Sequence, residues 1–510
     1  MPYSPAAAVC RNGGPCSTRS CAKTICRPGI RRRPSRRSRS CRRPKCWPRN
    51  TCSSGIATWS RPTTRRSPSR PPAGSPGARA GTPRPRRARP RSMLAGCSRA
   101  ASTRRTTRWY PRRSYRAEGQ RRVDCPRMAE SFDKGRLAKS LRDTQQPLER
   151  ARTLPAPCYH AESIHALEQE ALFARHWLAV AREQDLTDAG HFVTRDIGRE
   201  RVLVVRGHDG CLRAFFNVCR HRGSRLVEEA SGRLQQAIAC PYHAWTYALD
   251  GRLLRAPRMD TGNGAEALAL SAMPLARKDG FVFVNFDSAA RPLDEALADL
   301  PDGSRLGLER LRRVRALEYR VEANWKLVCE NYSECYHCPR AHPQLDRLSE
   351  TSIGGFEQGR CFNGGPMRLR AGFDTLSMSG RSTWPRLGNV GCGADEALVH
   401  YYLVYPNLML GIHPDYLSVH TVWPMSAHAS RVSCEISVPR ETLTLPGFDP
   451  APVIDFWELT NTQDWALCER VQRGVASRGY RPGPYAPSER CVHAFDAWYA
   501  QWLASALASA

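Results

Sequence analysis

The sequence predicts an α+β protein: a compact all-β domain (176–290) precedes an α+β domain (295–505), behind a basic segment (1–127) expected to be disordered. Three observations lead there. Charge and composition change abruptly near residue 127, and a two-residue apolar period begins near residue 176. After Pro292, two long helical stretches, 324–338 and 451–476, interrupt strand-like sequence.

The chain has 510 residues, too many for one ordinary core, and a net charge of +31. Residues 1–127 hold 34 of the 78 Lys and Arg but only two acids, Glu118 and Asp124, a net of +32 that leaves residues 128–510 at −1. This first segment is rich in Arg, Pro and Ser, with too few apolar residues to offset its chain entropy by burial. A nucleic-acid-binding tail would suit the charge, but aromatic residues are few and no binding module is visible, so nucleic acid is not the expected partner. A transit peptide would suit the composition, but the segment is long and shows no amphipathic helix. The preferred reading is a start site assigned too far upstream, with Met128 as the true beginning. A peptide from 1–127 in protein isolated from its native cells would refute it.

Residues 128–175 read as a helical lead-in, with Ile164, Leu167, Leu172 and Phe173 at rough helical spacing. Phe192–Thr194, Val202–Val205, Ala214–Asn217 and Phe281–Phe286 then alternate or run apolar between turns such as His208-Asp209-Gly210, as short strands do. Nine of the 21 cysteines lie in the basic segment, and the other twelve are scattered through a chain with no signal-peptide pattern. That favours a reducing compartment, the cytoplasm, and metal ligation over a disulfide framework. The most apolar stretches, Phe281–Phe286 and Val399–Ile412, are too short or too broken to span a membrane.

Within the β domain, Cys219-Arg220-His221-Arg222-Gly223 precedes Cys240-Pro241-Tyr242-His243-Ala244-Trp245, with 18 residues (222–239) between His221 and Cys240. Two thiols and two imidazoles in paired loops call for a metal. A [2Fe–2S] centre with two thiolates on one iron and two imidazoles on the other fits, since each loop supplies one of each. A structural zinc site is the alternative, although zinc fingers rarely begin Cys-x-His and these loops sit between strands. The two loops resemble the cluster-binding loops of Rieske-type non-haem iron oxygenase alpha subunits, the ring-hydroxylating oxygenase family, and the resemblance extends from about 150 to 500. It implies a Rieske [2Fe–2S] domain with Cys219, His221, Cys240 and His243 as ligands, joined to a helix-grip-like catalytic domain with a mononuclear Fe(II).

The second constellation lies in Glu330-Asn331-Tyr332-Ser333-Glu334-Cys335-Tyr336-His337-Cys338-Pro339-Arg340-Ala341-His342-Pro343. His337 and His342, five apart, do not share a face of one unbroken helix. Pro339 and Pro343 suggest that the helix ends near Cys338 and that the chain turns to bring His342 onto the same ion. Two imidazoles and one carboxylate leave positions open for O₂ and substrate, the ligand set of non-haem Fe(II) oxygenases. For the carboxylate, Asp464 lies on a helical face with Asn461, Cys468 and Val471, while Asp455, Glu458 and Glu469 fall less well on it. The family's Gln-Asp pattern at this point agrees with Asp464. Glu334, about one helical turn before His337, faces the same way. In the family an acid here links a ligand histidine to a cluster histidine of the neighbouring subunit, although many members carry Asp.

The run around His337, with Gln463-Asp464-Trp465 and Arg481-Pro482-Gly483-Pro484-Tyr485, is most similar to the branch that oxidises quaternary amines: glycine betaine demethylases, choline monooxygenases and carnitine oxygenases. The demethylases hydroxylate an N-methyl group, giving a hemiaminal that loses formaldehyde. A quaternary ammonium offers no N–H, so an aromatic cage is expected, with Tyr401, Tyr402, Tyr405, Tyr416 and Trp423 as candidates. The rivals are an aromatic ring-hydroxylating dioxygenase and, in another class, an iron–sulfur electron-transfer protein, which would not need His337, His342 and Asp464. No Gly-x-Gly-x-x-Gly fingerprint is present. NAD(P)H and flavin therefore belong to a separate reductase partner, and the family resemblance implies a head-to-tail homotrimer.

Overall fold

The computed structural model describes residues 133–260, 264, 266–388 and 397–509. The expectations for 1–127 and for a start at Met128 lie outside them. The described chain is α+β as expected, and the lead-in is helical. Lys134–Thr144 is a helix capped by Asp133, whose carboxylate accepts from the backbone of Gly135 and Arg136. The helices Pro157–His160 and Glu162–Leu167 follow and run into a π-helical turn, Glu168–Phe173.

The β domain contains a five-stranded antiparallel sheet, ordered Ser231–Arg233, His191–Ile197, Glu200–Arg206, Leu212–Phe216 and Ala272–Met273. Val202–Val205 is buried at every position rather than at alternate ones. Both faces of that strand are therefore covered, which explains a continuous apolar run. A small sheet of Ala237–Ala239, Thr246–Ala248 and Leu253–Arg255 carries the second Cys/His loop. A third sheet pairs Phe281–Val284 with Leu178–Arg182 on one side and Leu275–Lys278 on the other.

The second half is built on an eight-stranded antiparallel sheet. Its main path runs Arg312–Val321, Ala429–Val438, Leu417–Ser426, Leu408–Ile412, Leu398–Val404, Phe362–Leu369 and Ser349–Gly354. The long helix Ala451–Val475 packs Val453, Phe456 and Trp457 against Leu317, Cys434, Ile436 and Val438 of that sheet. Fully burying each such aromatic or aliphatic side chain contributes about 1.5–3 kcal/mol, so the sheet holds the helix firmly.

The helix expected over 324–338 ends earlier. It spans Trp325–Tyr332, with the Asn324 side chain accepting from the backbone of Lys326 at its start. Ser333 bonds back to the Cys329 carbonyl, and the Glu334 carboxylate then takes the backbone N–H groups of Tyr336 and His337, which offers the chain a turn in place of another helical bond. Pro339 and Pro343 do not end a helix here. Each lies in the first turn of a short one, Cys338–Ala341 and Pro343–Leu348, where its missing N–H costs nothing. The face proposed for the long helix also needs correction. Val471 is 47% exposed, whereas the buried line runs Asn461, Trp465, Cys468, Gln472 and Val475, which follows a 3.6-residue period more closely.

Among the described residues one disulfide occurs, Cys335–Cys338, and nine cysteines are free. No helix among them is long and apolar enough to cross a membrane.

Candidate functional site

The two Cys/His loops close in the same way. The N–H of Gly223 bonds the Cys219 carbonyl at 3.1 Å, and that of Ala244 bonds the Cys240 carbonyl at 3.1 Å. Both residues, four after their cysteines, have positive φ: 71° at Gly223 and 56° at Ala244. Glycine adopts that conformation freely, whereas alanine at such a position marks a turn fixed by its surroundings. The loops bring the His221 and His243 rings to 4.7 Å, centroid to centroid. Trp245 stacks on His221 and Tyr242 on His243, which fixes both ring planes. The Cys219 and Cys240 side chains are buried, and the Tyr247 hydroxyl contacts Cys219 Sγ at 3.3 Å.

Several features suit a metal group. The Nδ1 atoms of His221 and His243 are buried with no hydrogen-bond partner, a costly state for a ring nitrogen unless something accepts its lone pair. Burial lowers the pKa of His243, and the charges of His221 and Arg222 lower it further, which keeps the ring neutral as a ligand must be. At Cys240 burial alone would raise the pKa. Hydrogen bonds from the backbone N–H groups of Tyr242 and His243, with those from the Cys219 and Ser224 side chains, together outweigh it and bring the thiol below its usual value, favouring the thiolate. Two thiols and two unpartnered imidazole nitrogens are the donor set of a Rieske [2Fe–2S] cluster.

The second cluster joins the turn after Tyr332 to the middle of the long helix. His342 Nε2 lies 3.1 Å from His337 Nε2, and Asp464 Oδ1 lies 2.8 Å from the former and 3.2 Å from the latter. Three donor atoms thus converge on one point. The outward nitrogens are each held by an acceptor: His337 Nδ1 by Glu334 Oε1 at 2.6 Å, and His342 Nδ1 by Gln463 Oε1 at 2.7 Å. With the Nδ1 protons so placed, both Nε2 lone pairs face the shared point, as metal-ligating histidines require. Burial disfavours charge on His337, but the hydrogen bonds to Asp464 and Glu334 prevail and push its pKa up to about 10. His342 is raised too, since Asp464 and Gln463 outweigh its burial, and the two imidazoles hold Asp464 low against burial of its own. Without a cation the cluster therefore retains protons in the place a divalent ion would take. Cys338 Sγ also approaches His337 Nε2, at 4.0 Å, but is bonded to Cys335.

Beside this cluster opens a cavity of about 520 Å³, in the range of small-molecule sites. Tyr332, Phe356, Tyr401 and Trp457 contribute its aromatic walls. A Cβ at Gly364 would lie 1.9 Å from the Tyr401 carbonyl, so that strand can approach its neighbour only as glycine. Of the five aromatic residues expected to form a cage, Tyr401 alone lines this cavity. Tyr402, next along the strand, points the other way and bonds Glu357. Tyr405 packs on Phe495 and Trp498, and Trp423 belongs to the core beneath the sheet. Tyr416 is buried behind Trp457, donating to the Leu376 carbonyl and accepting from Trp457 Nε1. Trp457, about two helical turns before Asp464, and Tyr332, five residues before His337, were not singled out in the sequence.

The Rieske [2Fe-2S] domain family matches residues 176–274, and the ring hydroxylating alpha subunit (catalytic domain) family matches residues 308–505. The glycine betaine monooxygenase oxygenase subunit of Pseudomonas aeruginosa is 30% identical over 400 residues, covering 71% of this chain and 92% of that protein. The carnitine monooxygenase oxygenase subunit of Escherichia coli K12 is 32% identical over 348 residues, covering 65% and 86%. A solved quaternary ammonium Rieske monooxygenase, described for carnitine oxidation by gut microbiota and inter-subunit electron transfer, superposes with a TM-score of 0.61 at 27% identity over 69% of this chain and 95% of that one. The chain belongs to the Rieske-type ring-hydroxylating oxygenase family, as an oxygenase alpha subunit. Its cofactors are accordingly a [2Fe–2S] cluster and a mononuclear iron, and it works with a reductase, O₂ and a substrate.

Proposed function

We propose that this chain N-demethylates a small quaternary amine such as glycine betaine. The observation that carries the reading is the aromatic-walled cavity opening on His337, His342 and Asp464. Aromatic faces attract a methylated ammonium that has no N–H to donate, while an aromatic ring substrate needs only an apolar slot. The amine-oxidising relatives support the same class.

Residues 176–290 form the cluster domain, with Cys219, His221, Cys240 and His243 as its ligands, and 295–505 form the catalytic domain. His337, His342 and Asp464 hold the mononuclear iron. When bound, the cluster relays single electrons and the iron activates O₂ against an N-methyl C–H bond. Glu334 and Gln463 fix the two imidazole planes through Nδ1 and leave Nε2 free to ligate. Glu334 keeps spare acceptor capacity, and in a head-to-tail trimer it accepts from a cluster histidine of the neighbouring subunit. The cavity walls turn the methyl groups toward the ligand cluster and exclude water. The protein works in the cytoplasm.

The full chain, loaded with iron and supplied with a reductase, is expected to release formaldehyde in step with O₂ uptake when given glycine betaine or proline betaine, with choline and carnitine run beside them. Product without formaldehyde would indicate hydroxylation of choline or carnitine type instead. No response to any amine would overturn the amine reading in favour of an aromatic or other carbon substrate.

A further inference from the structure

The cavity presents hydrogen-bond donors that have no acceptor. Arg490, the first residue of the helix Arg490–Ser509, is the one Lys or Arg in its lining among the described residues. The acids of the lining, Glu334 and Asp464, bond His337 and His342 rather than the Arg490 guanidinium. Glu489, next in sequence, accepts from the backbone of Ala486. Among the described residues no carboxylate hydrogen-bonds or ion-pairs with the Arg490 guanidinium. A second donor in the same cavity is also unmatched: the Tyr332 hydroxyl is buried and has no partner. A choline-like cation offers the guanidinium no anionic acceptor. A carboxylate offers the guanidinium one.

We propose that Arg490 is a specificity-determining residue whose guanidinium receives the carboxylate of a zwitterionic amine, the ammonium end lying among Tyr401, Trp457 and Phe356. This rests on the N-demethylase reading and extends it from quaternary amines in general to those carrying an acid. The planar guanidinium fork matches a carboxylate in two parallel hydrogen bonds. The same charge repels a plain cation, so Arg490 discriminates against choline as well as for betaines.

The test compares wild type, Arg490→Gln and Arg490→Lys as iron-loaded full chains with reductase. The substrates are glycine betaine, carnitine, choline and the methyl ester of glycine betaine, which keeps the ammonium but lacks the carboxylate charge. Ligands that are not turned over are compared by binding calorimetry. Arg490→Gln should raise KM or Kd for the two acids by about tenfold or more, move kcat less, and leave choline and the ester unchanged or better bound. Arg490→Lys should restore part of the loss for the acids. An unchanged KM for the acids, or an equal rise for acid and ester, would overturn the assignment while leaving N-demethylation intact. A wild-type enzyme that accepts no amine would overturn both.

Discussion

Glu334 does two things at once. One oxygen orients His337 through Nδ1, and the other caps the turn that places His337 beyond the helix end. Gln at this position preserves shape and most hydrogen bonds but removes the charge. Glu334→Gln is therefore expected to keep iron and acid-labile sulfide while losing turnover by at least about tenfold, measured as O₂ uptake beside metal analysis. Turnover like that of wild type would refute its bridging role. His337 gives a pH signature in the metal-free protein. Its folded pKa of about 10 lies above its ordinary 6.5, so the stability it contributes is fully present below 6.5 and is lost as pH rises through 10. A divalent ion displaces the same proton, so affinity at this site should rise with pH across that window. Calorimetry in buffers of differing ionisation heat should detect the released proton, and a pH-independent affinity would contradict the assignment. The proposed ligands were legible in the sequence because Cys, His and acid at fixed spacing have few other uses. Gln463, Tyr332 and Arg490 were not, because glutamine, tyrosine and arginine are ordinary residues whose importance lies in which atom faces which cavity.

Elements carry these side chains, and the errors of the sequence reading arose at element ends and strand phase. The helix before His337 ended at Tyr332 because a side chain, Glu334, competed for backbone N–H groups, which no apolar periodicity records. Of the cage candidates, Tyr402 failed because it and Tyr401 necessarily face opposite sides of one strand. The Trp325–Tyr332 helix is anchored by a buried pair: Lys326 Nζ lies 2.5 Å from Glu168 Oε1, both side chains fully buried, with Trp325 Nε1 donating to Glu168 Oε2 at 2.9 Å. Lys326→Met would leave Glu168 charged and unpaired, at a cost of about 3–5 kcal/mol in chemical denaturation. A change below about 1 kcal/mol would contradict the anchoring role of the pair. In the cluster loops, Ala244→Gly should be neutral or stabilise by up to about 1 kcal/mol, because glycine adopts the positive φ without strain.

At the scale of the whole molecule, the α+β class and its two parts were readable from the change of period at 176 and from the long helix in the second half. Subunit arrangement belongs to the proposal. If electrons cross between subunits, a chain lacking the cluster and a chain lacking the iron should complement each other. Cys219→Ser and Asp464→Ala, each inactive alone, should regain part of wild-type turnover when co-expressed as mixed assemblies. Separate assemblies mixed without exchange should not. The central claim is that two separate iron centres are held by two separate ligand sets, and metal analysis of Asp464→Ala tests it most directly. The account predicts that iron per chain falls by about a third while acid-labile sulfide and the cluster's visible spectrum stay unchanged. Iron and sulfide falling together, or neither falling, would contradict it.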